Sequence, residues 1–385
     1  MSFLTGGIAG VVTGRNGGIF RRSNSYIWCH MERPIDLQLN YPLLPGQEEE
    51  FSALLRRAAG EMENLSALIP TGGRLIDKEI AAQWLSREGY AVAPQRVYLG
   101  EGGHHGCIVS LLAAGLAGKT IVTEELTYSN FKAIARFLGI RLIPCAADAL
   151  GLKPAALREI CVQAKADALY IMATINNPTG TVLPLDRRQE IVEIARAHDL
   201  LIIQDDAYGF LEEEPLPDFF HLAPERGFYI YSFSKPLAQG IKISYILAPA
   251  GFDATIKDAL DLTVTNIPEL YAQLLNTYIS SGRLAALIRG KQQEGRRRQA
   301  RARVLFRDQV VLGHVNGWHV WLSLPGRLRA TALSEQLAAA GVLVSPCAAY
   351  GVGAVPYDRA IRIALGGERD FTRVEEGITQ VIGFL

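Results

Sequence analysis

Tyr231-Ser232-Phe233-Ser234-Lys235-Pro236-Leu237-Ala238-Gln239-Gly240-Ile241-Lys242 decides how the rest of the chain is read. A strand-like apolar run, 227–231, delivers two hydroxyls and then a lysine. A short Pro/Gly loop follows, then a second basic residue and a second apolar run, 243–248. An ammonium held among apolar neighbours and beside another cation is disfavoured, so more of Lys235 is the free amine that attacks a carbonyl. That makes Lys235 a Schiff-base candidate. Ser232, Ser234 and Lys242, close to it in the chain, together suit a dianionic phosphate. Amine, hydroxyls and cation are the parts that pyridoxal 5'-phosphate (PLP) needs, although the same letters also fit a turn with a solvated lysine.

Outward from this stretch, strand and helix patterns alternate. Residues 120–123, 141–144, 168–171, 200–204, 228–232 and 243–247 read as strands, with helices 129–138, 153–163 and 184–198 between them. Such alternation implies an α/β chain whose parallel or mixed sheet is covered on both faces. Ligands in these sheets sit beyond the carboxyl ends of the strands. Three successive strand ends carry Asn176-Asn177-Pro178-Thr179-Gly180, then Asp205-Asp206-Ala207-Tyr208, then Lys235. An amide, an acid with a tyrosine, and a lysine thus stand at consecutive mouths of one sheet; each could separately be a turn or a cap.

Earlier in the chain, a short strand, 97–99, runs into Gly100-Glu101-Gly102-Gly103-His104-His105-Gly106, ahead of a buried helix expected from near Cys107. Strand, Gly-rich turn, helix is the layout in which backbone N–H groups at a helix start bind an anion. Helices are also expected over 48–62 and 75–88, and the glycine-rich residues 1–35 read as a flexible arm. Past 258 a long helical stretch to 306 is interrupted at Pro268 and Gly282, followed by strands 318–322 and 360–364 and helices 330–340 and 371–382. This reads as a second, α+β domain. Arg362 lies inside one of its apolar strands and has to find an anion, because it does not neutralise itself by losing a proton. A salt bridge and a substrate carboxylate both answer that need.

The 385 residues suggest two domains. With 49% hydrophobic and 20% charged residues the chain is of ordinary globular composition. Zero net charge and a pI near 7.1 supply no field for nucleic acid or an anionic membrane. The basic run Arg296-Arg297-Arg298 to Arg303 is expected on the solvated face of a helix. Five scattered cysteines (Cys29, Cys107, Cys145, Cys161, Cys347) show no CxxC or Cys/His ligand spacing. They point to free thiols in a reducing compartment and to no metal site. No apolar run is long enough to span a membrane and no charged segment precedes the N-terminal apolar start, so a cytoplasmic protein is expected.

Asn-Asn-Pro-Thr-Gly, Asp-Asp-Ala-Tyr, Ser-Phe-Ser-Lys and Ile-Arg-Ile, in this order, resemble the fold-type I PLP-dependent aminotransferases of class I/II. More closely, the chain resembles the aminotransferase-like domain of MocR/GntR-type regulators and the aminoadipate and kynurenine aminotransferases, over about residues 35–385. The resemblance implies a three-layer αβα large domain (45–285) with a mixed, mostly parallel sheet. It also implies a smaller α+β domain (36–44 and 286–385) and a homodimer with its site at the subunit interface. It implies a ping-pong transfer of an amino group between an amino acid and a 2-oxo acid. By the same resemblance Lys235 forms the Schiff base and then moves the proton at Cα, Asp205 pairs with the pyridinium nitrogen, and Asn177 and Tyr208 bond the ring's 3'-oxygen. Tyr128 stacks on the ring, Gly103, His104, Ser232, Ser234 and Lys242 hold the phosphate, and Arg362 holds the substrate carboxylate. Asn177 and Tyr41 are further candidates for the substrate side.

Three positions depart from the family pattern. Lys242 stands in place of arginine, His104 in place of glutamine, and Leu68 where relatives have a tyrosine that reaches the neighbouring subunit's phosphate. A lyase, decarboxylase or cyclase on the same cofactor, or a ligand-sensing module, are the alternative functions. The roughly 35 residues before the domain are too short for a winged helix, so a DNA-binding regulator is not expected.

Overall fold

The computed structural model describes residues 33–60, 69–326, 328–353 and 358–385. The N-terminal arm and Leu68 lie outside the described residues.

Seven strands form the main sheet: β1 (Val97–Gly100), β2 (Thr120–Glu124), β3 (Arg141–Cys145), β4 (Ala168–Ile171), β5 (Leu201–Asp206), β6 (Gly227–Ser232) and β7 (Ser244–Leu247). Their spatial order is β1-β7-β6-β5-β4-β2-β3. Strand β7 is antiparallel to both neighbours, and the remaining pairs are parallel. Strands β1, β4, β6 and β7 are buried along their whole length. That burial is why they read as continuous Val/Ile/Leu/Tyr runs and not as alternating ones. Helices Gly102–Ala113, Ser129–Phe137, Pro154–Gln163 and Leu185–Ala197 supply the connections.

A smaller antiparallel sheet follows: β8 (Val311–Leu312), β9 (His319–Ser323), β10 (Ser345–Pro346) and β11 (Ala360–Ala364), in the order β8-β9-β11-β10. A separate apolar cluster lies under it, including Val320, Leu322, Ile361, Ile363, Leu337 and Val374. Ile35 and Leu37, far away in sequence, belong to that cluster, because Ile35–Asp36 pairs in parallel with Val342–Leu343.

Three differences from the sequence reading matter for the site. First, the helix expected near Cys107 begins at Gly102, so Gly103 and His104 lie in its first turn. A Cβ added at Gly103 would sit 3.2 Å from the Cβ of Ser232. Glycine is therefore kept for close approach to β6, a requirement that outweighs its poor helix propensity. Second, β5 runs on through Asp205 and Asp206, which the sequence placed in the loop beyond it. Adjacent strand residues point to opposite faces. Asp205 accepts from Tyr170 of β4, while Asp206 accepts from Tyr229 of β6.

Third, the helical stretch past 258 breaks at Pro268 and at Gly282 (φ +71°) as the sequence reading has it, into the helices Asp253–Asp261, Glu269–Ser280 and Arg283–Leu305, but its basic face differs. Within the last, Arg298 is buried, against the expectation of a solvated basic face. It pairs with Glu294 at 2.8 Å, donates to the carbonyls of Leu365 and Glu368, and packs against Trp318 and Phe371. Helical spacing turns it inward while Arg296 and Arg297 stay exposed.

Among the described residues no helix is long and apolar enough to cross a membrane, and no cluster of three or more His, Cys, Asp or Glu could hold a metal ion. Cys107, Cys145 and Cys161 are free thiols, and Cys29 lies outside the described residues.

Candidate active site

The carboxyl ends of β4, β5 and β6 lie side by side, so the loops and strand ends after them converge. Asp205 is buried on β5, its Oδ2 accepting from the Tyr170 hydroxyl at 2.9 Å and facing the Cys107 thiol at 3.8 Å. Among the described residues its Oδ1 has no partner at full hydrogen-bond geometry, although the nearby Ala207 N–H favours the charged carboxylate. Burial pushes its pKa up to about 6, opposed by the Tyr170 hydroxyl and reinforced by Asp206. Leaving a buried carboxylate oxygen without a donor costs about 1–3 kcal/mol or more, so the position suits an external cation or N–H. Asp206 also keeps one oxygen without a hydrogen bond, but the charges of Arg87 and Arg188 lie on its side of the sheet.

Lys235 follows β6 by three residues. Its ammonium donates to the Asn40 carbonyl and lies 4.0 Å from the centre of the Tyr41 ring and 5.9 Å from that of Tyr208. Burial first, then the charges of Arg362 and Lys242, pull its pKa down to about 7. A large share of it is thus the free amine near neutral pH. Behind it, the fully buried Lys291 donates to the carbonyls of Lys235 and Leu237 at 3.0 and 3.2 Å, which fixes the backbone from which Lys235 projects.

The anion cup forms where the first turn of helix Gly102–Ala113 meets the end of β6 and the loop after Lys235. A Cβ added at Gly102 would lie 3.6 Å from both Ser234 Oγ and Lys242 Cδ, and one at Gly103 3.3 Å from Ser232 Oγ. Free N–H groups of a helix start, two hydroxyls and a lysine therefore share one small volume. His104 is exposed on the same turn, its Nε2 hydrogen-bonded with the Tyr128 hydroxyl and 3.3 Å from Asn130 Nδ2. Although the residue as a whole is exposed, partial desolvation of its ring, then Lys242 and Lys235, lowers its pKa. A neutral His104 beside Lys242 gives the cup a hydrogen bond and no second cation.

On the other side, Arg362 of β11 is buried and donates to Asn177 Oδ1 at 2.8 Å and to the Gln38 carbonyl. Its Nε has no partner and, among the described residues, no carboxylate pairs with it. The salt bridge that the sequence left open is absent from the described residues, and an anion is still called for. Tyr208 is buried and accepts at its hydroxyl from Asn40 Nδ2 at 3.2 Å. Tyr41 is half-buried, its hydroxyl accepting from Gln239 at 2.7 Å.

Four residues of this neighbourhood were not singled out from sequence: Asn40, Tyr170, Lys291 and His319. His319 lies in an apolar strand as Arg362 does, and the same rule about buried polar groups finds it. Asn40, Tyr170 and Lys291 carry no local signal. A recess of about 620 Å³ opens elsewhere, lined by Lys119, Lys165, Asp167 and His198 near the amino ends of the strands; none of the site residues lines it.

The chain is similar to several known proteins. The uncharacterized HTH-type transcriptional regulator YdeF of Bacillus subtilis (strain 168) is 26% identical over 308 residues, covering 80% of this chain and 66% of that protein. The chain thus spans just under two thirds of that relative's length. The 2-aminoadipate transaminase of Thermus thermophilus is 27% identical over 314 residues, covering 76% of this chain and 74% of the relative. In fold, the chain resembles Pyrococcus horikoshii kynurenine aminotransferase, solved in complex with PMP, KYN as substrates and KYA as products. That match has a TM-score of 0.79 at 22% identity and covers 92% of this chain and 91% of that one. With the model of "Aminotransferase class I and II" fitting residues 32–378, over both sheets and every strand end described above, the chain belongs to the aminotransferase class I and II family.

Proposed function

We propose that the chain is a PLP-dependent aminotransferase, moving an amino group between an amino acid and a 2-oxo acid in a ping-pong cycle. Three features support the fit to the cofactor, whose use goes with the family. They are the buried Oδ1 of Asp205, unpartnered among the described residues, the space that a Cβ at Gly102 or Gly103 would fill, and the lysine whose pKa burial pulls down to about 7. The first carries the reading, since a buried carboxylate left half-satisfied calls for a cationic ring nitrogen. When bound, PLP supplies an electron sink for negative charge at the substrate Cα.

The chain's own residues do the rest. Lys235 is the amine that would hold the cofactor, and with its pKa pulled down to about 7 it would serve as the group that takes and returns the proton at the substrate Cα. Asp205 would favour the protonated ring nitrogen, Asn177 and Tyr208 would supply hydrogen bonds to the ring's oxygen substituent, and Tyr128 would pack against the ring. The N–H groups of Gly103 and His104, with Ser232, Ser234 and Lys242, hold the phosphate; lysine does so as a point charge without the bidentate fork of an arginine. Arg362, oriented by Asn177, grips the substrate carboxylate, and Tyr41 lines the side-chain space.

We further take 45–285 as the large domain and 36–44 with 286–385 as the small one, and the active form as a cytoplasmic homodimer that shares the site. The thiols of Cys107, Cys145 and Cys161 suit a reducing compartment. Incubating the PLP-loaded protein with a panel of amino acids tests the reading: conversion of the visible absorbance to that of the pyridoxamine form is expected for the true donors. Stable binding without conversion for every amino acid would instead support a ligand-sensing module. The similarity to a transcriptional regulator over 80% of the chain favours that as the second reading.

A further inference from the structure

His319 and Asn40 stand between the small sheet and Tyr208, and no step of the proposed reaction uses them. His319 is fully buried on β9, its Nε2 3.2 Å from the Asn176 carbonyl and its Nδ1 3.5 Å from Asn40 Nδ2. A carbonyl only accepts, so Nε2 carries the ring proton. Burial, then Arg362, lowers the pKa of His319 to about 3, so the ring holds one proton only. Nδ1 is therefore a bare acceptor.

That fixes the amide of Asn40. Turned the other way, its oxygen would face the Nδ1 lone pair, acceptor against acceptor; as placed, its NH₂ serves both Nδ1 and the Tyr208 hydroxyl, 3.2 Å away. The acceptor carbonyl is itself held in place. Asn176 takes part in the turn bonds to Thr181 and Gly180, and its side chain donates to the buried Glu124 at 2.8 Å.

We propose that His319 and Asn40 are positioning residues whose hydrogen-bond polarity makes the Tyr208 oxygen an acceptor toward Asn40. The phenol proton is thereby free to point at the ligand. A flipped Asn40 would take that proton onto its own oxygen and leave Tyr208 with no donor for the 3'-oxygen of the cofactor. The inference deepens the aminotransferase reading and rests on it for the identity of the ligand. Its first half, the direction of the bonds, stands without the cofactor. Arg362 and Lys235 are the charged groups near Tyr208, with Tyr41 and Tyr350 beyond, and the substitutions below leave all of them in place.

Two measurements test it. In the ligand-free protein, ¹⁵N NMR of the ring of His319 is expected to show a single, Nε2-protonated tautomer; an Nδ1-protonated ring overturns the proposal. In the PLP-loaded protein, the pH midpoint of the visible band is expected to rise by about one pH unit in His319→Leu, the loss of one hydrogen bond to a charged oxygen. It is expected to rise also in Asn40→Asp, whose carboxylate accepts the phenol proton. His319→Asn, with an amide oxygen able to stand at the Nδ1 position, is expected to return the midpoint to that of the unsubstituted protein. Unchanged midpoints in His319→Leu and Asn40→Asp overturn the proposal and leave the aminotransferase reading intact. Failure of the unsubstituted protein to form a visible band with PLP sinks that reading instead, while the tautomer still decides the bond directions.

Discussion

Arg188 and Arg362 are the same side chain under nearly the same burial, and they use their donors in opposite ways. Arg188 gives Nε to the Leu183 carbonyl, Nη1 to Pro217, and Nη2 to the Ala173 carbonyl and the Thr174 hydroxyl, all at 2.9–3.1 Å. Arg362 gives one Nη to Asn177 and the other to the Gln38 carbonyl and lies 5.3 Å from the centre of the Tyr350 ring, and among the described residues its Nε has no hydrogen-bond partner. A buried cation whose donors are all taken by backbone carbonyls and a hydroxyl holds its own fold together. One with a face left over is set up for a ligand. The buried lysines differ in the same way: Lys291 braces two carbonyls, whereas Lys235 has one carbonyl and two aromatic rings around a reactive amine.

The contrast is sharpest at Lys235. Its replacement by alanine is expected to abolish the visible band formed with PLP and to lower amino-group transfer by about 10⁴-fold or more, read from absorbance and turnover together. A band that survives in Lys235→Ala breaks the assignment. Arg188→Leu is expected to cost about 3 kcal/mol or more in unfolding free energy, since it strands several buried carbonyls. The denaturant midpoint reads the loss, and the KM of the remaining folded enzyme should not move.

Arg362→Leu is expected to do the reverse. The KM for amino acids should rise about 100-fold, roughly 2–3 kcal/mol of carboxylate recognition, while the unfolding free energy changes by less than about 1 kcal/mol. If instead Arg362→Leu unfolds the protein and leaves KM alone, the two arginines are alike and the comparison fails.

A last expected effect is on pH dependence, spread thinly over a wide window. Glu124 is buried, accepts from Met172 N and Asn176 Nδ2, and has its pKa raised by burial from 4.5 to about 8. Because the folded state holds this proton more tightly, the group's contribution to stability is fully present below about pH 4.5 and is lost as pH rises through about 8. Glu124→Gln should flatten the fall in stability across that window, by at most about 1.4 kcal/mol per pH unit. Identical pH profiles of the two proteins would show that Glu124 titrates normally.

Much of this site is local in the chain and therefore readable from it. The order β4, β5, β6 follows from alternating patterns, and Asn177, Asp205, Tyr208 and Lys235 each stand within a few residues of a strand end. The start of helix Gly102–Ala113 was misread because glycine has low helix propensity; contact with Ser232, far along the chain, is what keeps glycine there. Arg298 was misread because a run of three arginines looks solvated until the helix turns one of them toward Trp318.

The sequence by itself determined the α/β alternation, the mouths of the sheet and the amine that faces them, because strand period, turn residues and charge among apolar neighbours are short-range properties. Tertiary structure alone decided which buried polar groups keep a donor or acceptor to spare, and that separates Arg362 from Arg188. It also decided that Asn40 and His319, 279 positions apart, meet at Tyr208. The reason is physical: hydrogen-bond satisfaction is set by neighbours in space, and a sequence names its residues without saying which of them will be close.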